Sequence, residues 1–125
     1  LPPGAPNLMR HDAIEAYGHG RFRIDTLSHR GSLLCLPNGV WAWPVARADD
    51  IDRHALARVF EGAAAIDTLL IGTGTDVWLV PPELRTALRR VSISVDTMLT
   101  GPAIRTYNIM LGERRRVAAA LVAVA

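Results

Sequence analysis

From Asp49 onward the hydrophobic period switches back and forth between helix and strand, and this limits the fold more than any other feature. In "IDRHALARVFEG" (51–62), Ile51, Ala55, Leu56, Val59 and Phe60 fall on one helical stripe; Asp49 and Asp50 offer an N-cap and Gly62 a stop. "AIDTLLIGTG" (65–74) is a short apolar run closed by glycines, which suits a strand buried on both faces. "PPELRTALRRV" (81–91) is a second helix, with Pro82 near its start, Glu83 in its first turn and Arg89 and Arg90 at its end, each charge agreeing with the macrodipole. "SISVD" (92–96) alternates as a strand. A third helix follows, with Ala103, Ile104, Tyr107, Met110 and Leu111 on one face. "RVAAALVAV" (116–124) reads as a closing buried strand. Helices and strands in strict alternation imply a parallel-rich sheet covered by helices, an α/β domain.

The first third has a different texture. "IEAYG", "RFRID", "GSLLCLP" and "GVWAWP" are short strand candidates separated by His-Gly, His-Arg-Gly and Pro-Asn-Gly. Asn38-Gly39 between apolar runs is a hairpin signal. Trp41, Trp43 and Val45 alternate with small or ring-locked neighbours, so the two indoles share a strand face, either as core or as a binding surface. Residues 1–12, with three prolines in the first six positions, read as a flexible arm, and 13–125 as one domain.

Composition removes several function classes. Half of the 125 residues are hydrophobic, which supports a core without staples. Cys35 stands alone, so no intrachain disulfide or cysteine metal cluster is expected. His11, His19, His29 and His54 are scattered without metal-ligand spacing; neither a metal nor a cofactor is expected. The serines show no nucleophile motif, and no catalytic residue is assigned. Every basic side chain is Arg, yet the net charge of +2 demands no polyanion, and Arg89-Arg90 and Arg114-Arg115-Arg116 lack the aromatic context of a nucleic-acid site. The longest apolar run, Val117–Ala125, is far short of the about 20 residues of a membrane span. The start does not read as a signal peptide. A cytoplasmic bacterial protein is the expectation; because the sequence begins at Leu1, an upstream targeting segment stays open.

The candidate binding residues are Gly72, Thr73, Gly74, Thr100, Gly101, Arg105 and Asn108. "GTGTDV" (72–77) lacks the third glycine and the following helix of a dinucleotide loop, but it lies at a strand's carboxyl end, where open α/β sheets bind ligands. Thr100 and Gly101 open a helix whose free amides can hold an anion. Arg105 is the odd member: a cation in the first turns faces the positive end of the helix dipole. It pairs either with an internal carboxylate, Asp96 or Asp67, or with an anionic ligand in a concave pocket between the two segments.

"IDTLLIGTG", "MLTGPAIRTYNIML" and "ERRRVAAAL", with "YGHGRFRI" and "GSLLCLPNGVWAW", resemble a family of small domains of unknown function. That family includes a mitochondrial assembly factor of respiratory complex I and an adipogenesis-associated protein. The resemblance covers about Ala13 to Val124. It implies a single-domain three-layer α/β/α sandwich with a mixed central sheet and an added N-terminal β layer. Leu99, Pro102 and Ile104 stand where the family has Asp, Ala and Cys, and Arg114 where it has Gly. Two functions follow as alternatives. The first is a non-enzymatic interaction or assembly factor with an unidentified protein partner, marked by an exposed apolar patch that takes in Trp41 or Trp43. The second is a domain binding a small anionic ligand, possibly an enzyme, with its site between Gly72–Gly74 and Thr100–Asn108.

Overall fold

The computed structural model describes residues 6–8, 13–25 and 27–125. The described residues form nine strands: β1 (Pro6–Leu8), β2 (Ala16–Gly18), β3 (Arg21–Ile24), β4 (Leu27–Arg30), β5 (Leu33–Leu36), β6 (Gly39–Ala42), β7 (Thr68–Gly72), β8 (Ser94–Met98) and β9 (Val117–Leu121). The α-helices are α1 (Ala57–Glu61), α2 (Pro82–Arg90) and α3 (Thr100–Gly112). Six strands form a mixed sheet in the order β1-β6-β5-β9-β7-β8; β2-β3-β4 form a separate antiparallel sheet. β7 runs parallel to both β8 and β9, and β5 joins this parallel half antiparallel to β9.

β9 shows why there are three layers. Its side chains alternate: Val117, Ala119 and Leu121 belong to the core beneath α3, Ala118, Ala120 and Val122 to the core beneath α1 and α2. The small alanines let elements on both faces approach a strand buried on both sides. Ala103, Ile104, Tyr107 and Met110 of α3 share their core with Phe22 and Ile24 of the three-stranded sheet. The chain is therefore the expected α/β/α sandwich with a mixed sheet and an additional β layer. Of the N-terminal arm, Pro6–Leu8 lies antiparallel to β6.

Local chemistry shifts several boundaries. The first helix spans Ala57–Glu61 rather than 51–62. The Trp43 indole N–H takes the Ala55 carbonyl at 2.8 Å, a carbonyl that a longer helix would give to residue 59. Asp49 and Asp50 do not cap it; they lie in a 3₁₀ turn, and the Asp52 carboxylate accepts the Ala55 N–H at 2.8 Å instead. "SISVD" begins too early. Ser92 takes a left-handed conformation (φ 62°) after α2, with Ser92 N–H on the Arg89 carbonyl and Ile93 N–H on that of Leu88. These are the two bonds of a Schellman stop. α3 ends the same way, with Arg114 at φ 59°. The β5–β6 turn is Pro37-Asn38, since Leu36 pairs with Gly39. Asn38 has no positive φ, so the expected primed turn gives way to one with Pro at its first central position.

Trp41 and Trp43 do share a face with Val45, and that face is core: both indoles are buried. The exposed patch expected to take in Trp41 or Trp43 is therefore not built on either indole.

Candidate functional site

Three parallel strands end together, and their ends are tied by one side chain. Thr100, fully buried at the start of α3, accepts the Gly74 N–H on Oγ1 at 2.9 Å and donates its hydroxyl to the Val122 carbonyl at 2.7 Å. The Thr100 N–H bonds the Gly74 carbonyl at 3.1 Å, the Val122 N–H bonds that of Gly72, and the Thr73 N–H bonds that of Met98. The Thr73 hydroxyl folds back on the Asp76 carbonyl at 2.7 Å. Gly72 is required for close approach: a Cβ there would sit 3.0 Å from both Cα and Oγ1 of Thr100 and 2.9 Å from Leu121 Cδ2.

This geometry engages two of the donors to which an anion was expected to bind. The Gly74 amide is spent on Thr100, and the single Thr100 proton on Val122, so neither is left to donate to a ligand. Among the described residues the cleft that Thr73 and Gly74 do line, about 250 Å³, faces Arg47, Asp49, Asp76 and Trp78 and includes neither Thr100 nor Arg105. Its cation is already engaged, with Arg47 paired to Asp49 at 3.3 Å.

The other three residues lie farther along α3. Asn108 clasps the backbone of Ile14, accepting its N–H at 2.9 Å and donating to its carbonyl at 2.7 Å. The amide side chain thus substitutes for a strand partner and fastens the three-stranded sheet to the helix. Gly101 makes room for the Tyr17 hydroxyl, which packs directly against it. Arg105 is the sixth residue of α3, past the first turn where the dipole acts, and it is exposed. Among the described residues no carboxylate lies within ion-pair distance of it; Asp67 pairs with Arg116 instead, at 3.3 Å. Arg105 is exposed, and its Nη1 and the Tyr17 hydroxyl both lie beside Gly101.

Burial shifts two titratable groups of the interior toward their neutral forms. Burial pushes the Cys35 thiol up to about 12, outweighing a hydrogen bond from Tyr107 that acts the other way. Burial also holds the His29 imidazole below its ordinary value, with one ring nitrogen 3.1 Å from the Ser32 carbonyl. Among the described residues no cluster of His, Cys, Asp or Glu is placed to hold a metal. None of their helices is long and apolar enough to cross a membrane.

The surface residues that the sequence reading missed are Val77 and Leu79, 84% and 80% exposed. They alternate with Trp78 and Val80, which pack on the core beneath α1 and α2. The signal was present in the unbroken apolar run "VWLV" directly after a glycine-rich turn. Ile109, Tyr17 and Leu99 are further exposed large apolar side chains.

A model of the family described as "Protein of unknown function (DUF498/DUF598)" matches residues 14–122. The chain is 29% identical over 109 residues to NADH dehydrogenase (ubiquinone) 1 alpha subcomplex assembly factor 3 of Xenopus tropicalis, covering 87% of this chain and 60% of that protein. Two solved structures are similar. One, from Rhodopseudomonas palustris, is 56% identical with a TM-score of 0.84, covering 99% of this chain and 93% of that one. The other, from Bartonella henselae, is described as an outer membrane protein; it is 43% identical with a TM-score of 0.90, covering 94% of this chain and 98% of that one.

Proposed function

Since the chain belongs to the DUF498/DUF598 family, whose relatives include named assembly factors of an NADH dehydrogenase, we propose that it is a non-enzymatic interaction domain that helps a multi-subunit complex assemble. The observation that carries this reading is the Val77–Leu79 loop. Its two aliphatic side chains stand in solvent while Trp78 and the Thr73–Asp76 hydrogen bond anchor the loop from below. Nothing in the described fold uses them. Burying each against a partner contributes about 1.5–3 kcal/mol, which suits a contact centre. The chain spans 60% of the frog assembly factor, so a role in complex I belongs to the proposal and to its test.

The test is a strain lacking this chain, with its membranes resolved on native gels and assayed for NADH:ubiquinone oxidoreductase activity. Reduced assembled complex, restored by wild type and not by the Val77→Asp/Leu79→Asp double variant, supports the proposal. Normal assembly and activity without the chain would refute the complex I role.

Arg105 favours a second reading. Its exposed guanidinium and the Tyr17 hydroxyl converge above Gly101 and could together hold a carboxylate. In this form the anion site keeps Gly101 and Arg105 and gives up Gly72, Thr73, Gly74, Thr100 and Asn108, whose polar groups are engaged within the fold. A small carboxylate or phosphate that raises the melting temperature of wild type and not of Arg105→Ala would support it; equal response of both would exclude it.

A further inference from the structure

We propose that the outer edge of β8 docks an extended segment of another protein, one carrying carboxylates on the face next to α2. β8 ends the six-stranded sheet, and among the described residues no strand pairs with its outer side. The ladder fixes which backbone groups face outward. Ser94 donates to the Asp67 carbonyl and Met98 accepts from Thr73, so 94, 96 and 98 face β7. Val95 and Thr97 therefore present their N–H and C=O groups away from the sheet. The Val95 carbonyl meets Arg85 Nη1 at 3.5 Å, the outer limit of a hydrogen bond, which a partner strand's amide would displace.

Exposed edges are usually blunted by proline, a bulge or very short length. β8 has none of these: five residues pair with β7 in continuous register, from Thr68↔Ser94 to Gly72↔Met98. The two faces of the edge differ in charge. Arg85, Arg89, Ile93, Ser94 and Val95 line a cleft of about 200 Å³ beside the strand. Among the described residues neither arginine has a carboxylate within ion-pair distance. Val95 packs into the core beneath α2, so Asp96, its neighbour, lies on the opposite face. An added strand with acidic residues at alternate positions would meet the arginines and keep its other face clear of Asp96.

A second copy of the chain fits poorly. Antiparallel pairing of two β8 edges would bring α2 beside α2, with Arg85 and Arg89 of both copies on one face. The inference goes beyond the assembly reading, since it holds whatever the partner belongs to.

The experiment titrates the ¹⁵N-labelled chain with a capped peptide of alternating glutamate and valine, and with the same peptide carrying lysine for glutamate. Saturable shifts and slowed exchange at the Val95 and Thr97 amides, with the acidic peptide only, are expected. Arg85→Glu with Arg89→Glu should weaken binding by about tenfold or more. Thr97→Pro removes an outward N–H without touching the β7 ladder; it should abolish binding while the melting temperature stays within about 3 °C. Equal binding of the lysine peptide, or no response at these amides up to the peptide's solubility limit, would overturn the proposal. So would protection of the same amides without peptide in a sample that sediments as a dimer, which would assign the edge to a second copy.

Discussion

Replacing Thr100 by Val isolates the tie at the strand ends. Valine matches threonine in shape, so no cavity opens and the buried methyl is kept. What disappears is the hydroxyl, leaving the Gly74 N–H and the Val122 carbonyl without their partner. Both residues are buried, so water does not replace it freely. Each orphaned backbone group costs about 1–3 kcal/mol, partly offset by the greater hydrophobicity of valine, for a net loss of about 2–4 kcal/mol. Against a total stability of about 5–15 kcal/mol this is large. Guanidinium unfolding followed by circular dichroism should show the midpoint fall with an unchanged slope. Thr100→Ser keeps both hydrogen bonds and should lose about 1 kcal/mol, the value of one buried methyl group. If Thr100→Val were no less stable than Thr100→Ser, the hydroxyl would not hold the strand ends, and Thr100 would return as a free donor for a ligand.

Three further outcomes follow from single residues. Arg114 ends α3 in a left-handed conformation, so Arg114→Gly should stabilise the chain by about 1 kcal/mol in thermal unfolding. His29 has a folded pKa below its ordinary 6.5; its contribution is complete above that value and is lost as pH falls through 6.5 toward the folded value. Urea midpoints should therefore drop between pH 7.5 and 5.5, with a smaller drop in His29→Gln. Cys35, buried with its thiol held near 12, should react with a thiol reagent at pH 8 only after denaturant is added.

The alternation of helices and strands was legible because period and length separate most of these elements; the alanine-rich β9 read as strand only from its place after a helix, and the three layers with a mixed sheet were what the family resemblance implied. The boundaries were less so, for reasons that lie far along the chain. Trp43 claims a carbonyl twelve residues away and shortens α1. Ser92 and Arg114 adopt backbone angles that glycine would have announced. The segments that meet at the strand ends were legible in the sequence; the hydrogen bonds that join them were not. Glycines and a threonine at strand ends signal close approach, and either a ligand or the chain itself can be what approaches. Here Thr100 fills the space that Gly72 opens, through hydrogen bonds spanning 22 and 26 residues that no local pattern records. Arg105 looked anomalous because it was counted among the first turns of its helix; as the sixth residue of α3 it lies past the first turn, where the dipole acts. Val77 and Leu79 went unnoticed because exposure in an apolar loop depends on which alternate residues the core captures.

The central claim is that a protein partner covers the Val77–Leu79 loop, and one measurement meets it directly. A photo-crosslinking amino acid placed at Leu79, and separately at the exposed Glu61 on α1, is activated in living cells. A single discrete protein adduct from position 79, absent from position 61, is the predicted result. No adduct at position 79, or the same adducts from both positions, would contradict it.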